Sequence, residues 1–528
     1  MKSIIYKFLF VTGLFGAVAC EDLQTVNVDP NNPSDIQSNI LMAGVEKQIM
    51  DNVYDAWFSG RQSLVYSQYW AQRNYTEEDR YQIRESTNNN YFNYFYQSAA
   101  NLETIIEMNK NEETASKMAA YGNNNNQIAA AKILKVWLYQ MMTDTWGAIP
   151  YTEASKLKDG VFYPKYDEQS AIYAGLLAEL DEAVSLIDEN EVAFTSGDRI
   201  FEGDASKWKK LGNSLKCRLA IHLSKVDSNW KTYIAEALAS GVFESNADNA
   251  VYKYSATAPE QCGFYIAWFD DKRNDFTMAR PFVDLLKGQK DTLNAKTHPW
   301  EGVVDPRLPI YTTSVDGKYV GMPYGIASSD IMPYMFGGAP DWDDATNHPV
   351  TLNADFSVPL MTYAELQFIL SEYNGFSAAE YKEGIKASLA YWSELNGSPI
   401  GAAQADAYVA AVSVNVTPEA VALQKYIDLY MNGTEAWVEY RRTGYPTQII
   451  KPGQISCVDE EGVALIFEPL SETNGDIISR VKYPTNESTL NGPNFKAAVA
   501  KLQDATNNYY SKMFWDVRTA AVPHPANK

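Results

Sequence analysis

The chain has 528 residues, 46% hydrophobic and 21% charged, with 66 acids against 44 bases for a formal net charge of −22. That length allows a large core and more than one structural unit, while the negative balance argues against nucleic acid or anionic lipid headgroups as partners, since both repel it. With 35 tyrosines and 12 tryptophans beside 4 histidines and 4 cysteines, the chain is rich in flat aromatic faces and poor in nucleophiles and metal ligands.

At the N-terminus, Lys2 and Lys7 precede and flank an apolar run, Phe8–Val18. The run is well short of the roughly 20 residues a spanning helix needs, so residues 1–19 are expected to be an export signal. Two processing routes fit. Ala17-Val18-Ala19 suits an ordinary signal peptidase, which would release a soluble protein, whereas Cys20 directly after small residues suits the lipid-accepting cysteine of a bacterial lipoprotein. The placement of the cysteine favours the second, and Cys20 is the expected lipidation site. One acyl chain anchors only marginally, at ~0.8 kcal/mol per buried CH₂; several chains on one cysteine hold firmly. Residues 20–33 contain Asp-Pro-Asn-Asn-Pro, turn chemistry that cannot enter a helix, and read as a tether. The other cysteines, Cys217, Cys262 and Cys457, are too widely spaced for a disulfide framework or a zinc pattern and are expected to be small buried hydrophobes.

From residue 34 the pattern is helical. Ile36, Ile40, Val45, Ile49 and Val53 outline the first stripe, and Tyr91, Phe95, Ala99, Leu102 and Ile106 the second. Ile128–Met142 forms a third, closed by Gly147 and stopped by Pro150. Ile172, Leu176, Leu180, Ala183 and Ile187 keep the spacing, as do Trp208, Leu211, Leu215, Leu219 and His222. Helices are expected again at Thr362–Tyr373, Ser377–Trp392, Pro418–Met431 and Asn507–Trp515. No strict repeat is visible, but paired helices of this length predict a mainly α scaffold of tetratricopeptide-like helix pairs. Residues 251–359 differ: ten of the 23 prolines fall there. The expected organisation is a scaffold over 34–250 and 360–528 with a loop-rich, ligand-binding subdomain inserted at 251–359, because binding residues concentrate on loops held by a rigid frame.

Six segments, in order, resemble the SusD/RagB family of outer-membrane nutrient-binding lipoproteins, in its SusD-like branch. They are "MTDTWGAIPYTEA" (Met142–Ala154), "PKYDEQSAIYAGLLAELDEA" (Pro164–Ala183), "DASKWKKLGNSLKCRLAIHLS" (Asp204–Ser224), "PLMTYAELQFILSE" (Pro359–Glu372), "QKYIDLYMNGTEAWVEYRRTGYP" (Gln424–Pro446) and "RVKYPTNESTLN" (Arg480–Asn491). Ala17 and Ala148 depart mildly from the family pattern. The resemblance implies a lipoprotein on the surface of a Bacteroidetes-type cell, lying over a SusC-like TonB-dependent β-barrel transporter. It would capture oligosaccharide, or peptide in some relatives, and pass it inward without a cofactor.

Sugar rings present apolar CH faces edged by hydroxyls, so an aromatic platform bordered by Asn, Asp, Gln or Arg is the expected site. Candidates in the insert are Trp268, Tyr324, Tyr334 and Trp342; the first helical unit adds Trp70, Tyr75 and Tyr81. For any one of them ordinary packing is the competing reading, whereas Trp146, Trp208, Trp437 and Tyr440 fall in scaffold motifs and are expected in the core. Trp342→Ala and Trp268→Ala are expected to weaken ligand retention with little loss of stability. Asp341, Asp343 and Asp344 around Trp342 lack the regular spacing of a calcium loop. A glycoside hydrolase would draw two carboxylates from Asp270, Asp271, Asp341 or Asp344, about 5–5.5 Å apart for retaining chemistry with one pKa raised. Acids in such charged loops do not fit that demand, and the expectation is a binding protein, not an enzyme.

Overall fold

A computed structural model of the chain describes residues 36–519 except Ala345 and Ser398. The expected signal 1–19, Cys20 and the tether 20–33 lie outside the described residues. Helices α1 (Ser38–Val53), α2 (Glu85–Lys110), α3 (Asn124–Trp146), α4 (Gln169–Leu186), α5 (Ala205–His222) and α6 (Trp230–Ser240) follow in order, each packed on its neighbours in sequence. After α7 (Ser328–Gly337) come α8 (Tyr363–Tyr373), α9 (Ala378–Leu395), α10 (Ala402–Val412), α11 (Pro418–Asp428) and α12 (Gly433–Thr443). In this second run α8 packs on α9 and α11, and its contact with α5 joins the two runs. The fold is mainly α, with tetratricopeptide-like helix packing.

Local chemistry explains the boundaries. Asn123, Asp204, Thr362 and Thr417 each accept a bond from a backbone N–H of the first turn of α3, α5, α8 and α11, caps worth about 0.5–2 kcal/mol apiece. Helix α3 is buried on almost every side from Asn126 to Trp146, and its buried polar side chains are met from neighbouring helices, Lys132 by Glu179 at 3.2 Å and Asp144 by the Tyr173 hydroxyl at 2.7 Å. Gly147 ends it at φ 87°, a conformation that a side chain would oppose.

Strands are short and stitch distant segments together. β1 (Trp70–Gln72) pairs with β5 (Phe276–Met278), β2 (Ile149–Pro150) with β3 (Tyr166–Asp167), β4 (Ala250–Tyr252) with β6 (Val358–Met361), and β7 (Ile455–Val458) with β8 (Ala464–Ile466), all antiparallel. Pairing Ala250 with Met361 brings the two ends of the proline-rich stretch side by side, and pairing Trp70 with Met278 fastens its first part to the first helical unit. Buried Arg61 adds to the second link, lying 3.3 Å from Glu78 and 2.7 Å from Asp275.

Three expectations change. Ile36 and Ile40 are exposed, because the buried face of α1 runs through Met42, Val45, Ile49 and Val53. Asn507–Trp515 is not helical. There Asn508 donates to Gln503 O and Thr506 O and accepts from the amides of Tyr510 and Ser511, so its side chain competes with a helical backbone. The aromatics of the proline-rich stretch are chiefly core: Phe264, Trp268, Phe276, Phe282, Tyr311, Tyr324 and Trp342 are all buried. A segment without regular backbone shows no periodic stripe, and its apolar side chains look exposed in sequence when they are not.

Candidate ligand-binding site

The seven candidate aromatics separate into four places. Trp70, Trp268 and Trp342 meet in one cluster, with Trp70 5.4 Å from Trp268 and 6.2 Å from Trp342 between ring centroids. Tyr81 and Tyr324 both pack on Phe467, at 5.4 Å and 5.3 Å. Tyr334 is half-buried on α7 and donates to Val458 O at 3.1 Å. Tyr75 alone is well exposed, at 55%.

Five of the seven are therefore not open platforms: Trp70, Tyr81, Trp268, Tyr324 and Trp342 are at most 2% exposed. The reason is visible around Trp342. Asp341, Asp343 and Asp344 point to water while the backbone of Trp342 turns left-handed, φ 58°, and drives the ring inward. Such a conformation in a non-glycine residue costs on the order of 1–3 kcal/mol and persists only where surrounding contacts hold it. Here the holding contacts are the tryptophan cluster and Arg73, which donates to Asp341 O at 3.2 Å.

Trp342 nevertheless forms one wall of a cavity of about 300 Å³. Val315, Ala339 and Pro340 extend its apolar side; Thr313, Ser314, Asp341, Asp344 and Asn347 supply hydroxyls, carboxylates and an amide. The indole Nε1 of Trp342 is buried with no partner among the described residues, as is that of Trp268. A buried donor left unpaired costs about 1–3 kcal/mol, which the packing of the tryptophan cluster must offset. Tyr75 belongs to the same neighbourhood: Arg73, two residues before it, holds Asp341, and the amide of Thr76, one after, donates to Ser328 Oγ at 3.3 Å at the start of α7. A second cavity of about 560 Å³ shares Gly338 with the first and sets Tyr334 among Asp330, Asp459, Glu460 and Glu461.

The residues that sequence reasoning missed are the small polar ones. Thr313, Ser314 and Asn347 carry no pattern of their own; the only signal was their place in the proline-rich stretch. Half-buried Trp57, which lies beneath the guanidinium of Arg61 at 4.6 Å, was also missed.

The acids of the loop are poorly placed for hydrolysis. Asp344 accepts from the Thr346 hydroxyl and amide, which hold its carboxyl below the ordinary range and make it a poor proton donor. Asp270, Asp271 and Asp341 are exposed.

The other dense charge cluster lies within the helical frame. His222 Nε2 is 2.8 Å from Glu435, and His222, Glu435 and Glu439 approach closely enough to hold a cation. Their charge is already met: Lys425 stands 3.1 Å and Arg442 2.8 Å from Glu439, and Arg218 3.8 Å from Glu435. Burial opposes ionisation of Glu435, but His222 and Arg218 outweigh it and hold the carboxyl down at about 2. The cluster is an internal ion network and does not need a metal to balance it.

Helix pairs supporting irregular, aromatic-walled cavities define a helical-repeat scaffold protein. A protein-family model named SusD-like_2 and described as "Starch-binding associating with outer membrane" matches residues 30–465, and the chain belongs to that family. Among solved structures, a chitin-binding protein is 25% identical, with 91% of this chain and 100% of that one covered at a TM-score of 0.71. A chitin-binding SusD homologue from Flavobacterium johnsoniae is 22% identical over 92% and 99% at 0.70. A SusD homologue from Parabacteroides distasonis is 20% identical over 92% and 99% at 0.71. No curated protein matches the chain. Among the described residues no helix is long and apolar enough to cross a membrane.

Proposed function

We propose that the protein binds oligosaccharide at the cell surface and delivers it to a SusC-like TonB-dependent β-barrel, held to the outer membrane by lipid on Cys20. The observation that carries this reading is the cavity walled by Trp342. It sets the apolar surface of Val315, Ala339 and Pro340, backed by the buried Trp342, beside two carboxylates, an amide and two hydroxyls, the pairing of apolar face and hydrogen-bonding edge that a sugar ring demands. The family's description as starch-binding and the chitin-binding neighbour at 25% identity support a glycan as the ligand class. Two or three such contacts, less the cost of ordering, correspond to a Kd of about 1 mM to 1 μM, an affinity that permits release into a transporter.

The test is calorimetric titration with maltoheptaose and chitohexaose, using Asn347→Ala and Ser314→Ala as site variants. Binding of either sugar that both variants weaken supports the site; binding that neither alters puts the site elsewhere, and no binding of either sugar sinks the glycan reading. Co-purification of a β-barrel and lipid on Cys20 by mass spectrometry test the remaining parts. A second reading, peptide as cargo, rests on the acidic cavity around Tyr334, whose four carboxylates suit a basic segment. Lys-rich peptides that bind more tightly than sugars would favour it.

A further inference from the structure

A separate cavity, of about 490 Å³, opens where the end of the proline-rich stretch meets α5 and α9, and it shares no lining residue with the cavity at Trp342. Its floor is apolar, built from Ile200, Phe201 and Phe356, all at most 6% exposed. Its uncharged polar groups are three amides, Asn246, Asn249 and Asn353, and the hydroxyls of Ser357 and Tyr391. Two of these carry unspent hydrogen-bonding capacity. Asn246 uses its amide N–H on Ala387 O at 2.9 Å, yet its Oδ1 is buried with no partner among the described residues. The hydroxyl of Tyr391 is likewise buried and unpartnered, on a side chain only 8% exposed. Burial pushes its pKa up, so it stays a protonated donor.

The formal charges of the lining balance, Lys207 and Lys253 against Asp355 and Glu394, with Lys253 held 2.7 Å from Glu202 beyond the lining. Such a lining favours neither an anion nor a cation. An apolar floor, amides and one idle hydroxyl, with no net charge, match a neutral polyhydroxylated ring. We propose that this cavity is a second saccharide site, independent of the one at Trp342. The inference rests on the glycan reading above. Its competitor is a solvent-filled recess in which water satisfies Asn246 and Tyr391.

The test titrates the full mature chain with maltoheptaose and chitohexaose and follows hydrogen exchange over 246–253 and 350–357. The expected result is two sugars per chain, with protection in those segments. Tyr391→Phe should weaken the second event about 3- to 10-fold while raising the thermal midpoint, because it removes an unsatisfied buried hydroxyl. Asn353→Ala should weaken the same event without moving the midpoint, and Asn347→Ala should leave it intact. One sugar per chain, with protection confined to the Trp342 cavity, would overturn this proposal and leave the glycan reading standing. So would Tyr391→Phe raising stability without touching binding. If neither sugar binds at all, both fall.

Discussion

The ion network of the helical frame and the loop around Trp342 are both crowded with charge, and they dispose of it in opposite ways. In the frame, Arg218 grips Glu365 through two bonds of 2.7 and 2.6 Å, and Arg442 grips Glu372 in the same manner. The arginines are at most 2% exposed, and each is answered by a carboxylate. In the loop, carboxylates face water while the indole nitrogens of Trp268 and Trp342 are buried unanswered. The frame answers its buried charges from within, although Trp392 Nε1 and Tyr391 Oη on α9 are also buried without a partner among the described residues; the loop instead turns its charges to solvent and lines a cavity with them.

The comparison breaks most visibly if the frame does not depend on its pairs. Arg218→Met leaves Glu365 and Glu435 buried with less compensation and should cost about 3–5 kcal/mol in denaturant unfolding. A loss under 1 kcal/mol would show that the network is dispensable. On the other side, Trp342→Ala should lose about 3–5 kcal/mol, because the ring is 2% exposed. The sequence-based expectation that this variant would keep its stability is thus reversed, and ligand binding is better tested at the cavity's polar edge.

Acid sharpens the contrast. Glu435 is held down at about 2 in the folded chain, against about 4.3 for a free glutamate. Its contribution is present above the unfolded value and is lost as pH falls from about 4.3 to about 2, on the order of 3 kcal/mol in all. Wild type should therefore lose stability faster than Glu435→Gln across that window when both are melted at stepped pH; parallel curves would deny the linkage. Asn347→Ala and Ser314→Ala should change stability by no more than about 0.5 kcal/mol while weakening sugar binding about 3- to 10-fold. The smallest effect is expected of exposed Tyr75→Ala, a two- to tenfold loss of binding with an unchanged melt. A melt that moves by several degrees would place Tyr75 with the packing residues.

Much of the frame was legible because α-helices write their burial into spacing. Tyr91, Phe95, Ala99, Leu102 and Ile106 are all buried, as are Trp208, Leu211, Leu215, Leu219 and His222. The three internal cysteines are free and buried. Asn507–Trp515 misled because local asparagine bonds overrule apolar spacing. The site was harder to see for a related reason. Where no repeat ties sequence to orientation, Trp342 between acids looks like an exposed ring, and only its left-handed backbone and the distant Trp70 turn it inward. Thr313, Ser314 and Asn347 are ordinary residues until the fold gathers them.

The pairing of Trp70 with Met278 spans about two hundred residues of chain. Closing so long a loop is slow and entropically uphill until both ends are held, whereas neighbouring helices can dock as they emerge. The tryptophan cluster should accordingly be a late event in refolding, with indole fluorescence reaching its final value after the helical circular dichroism has recovered. A refolding chain would thus form its helices before its tryptophan cluster closes.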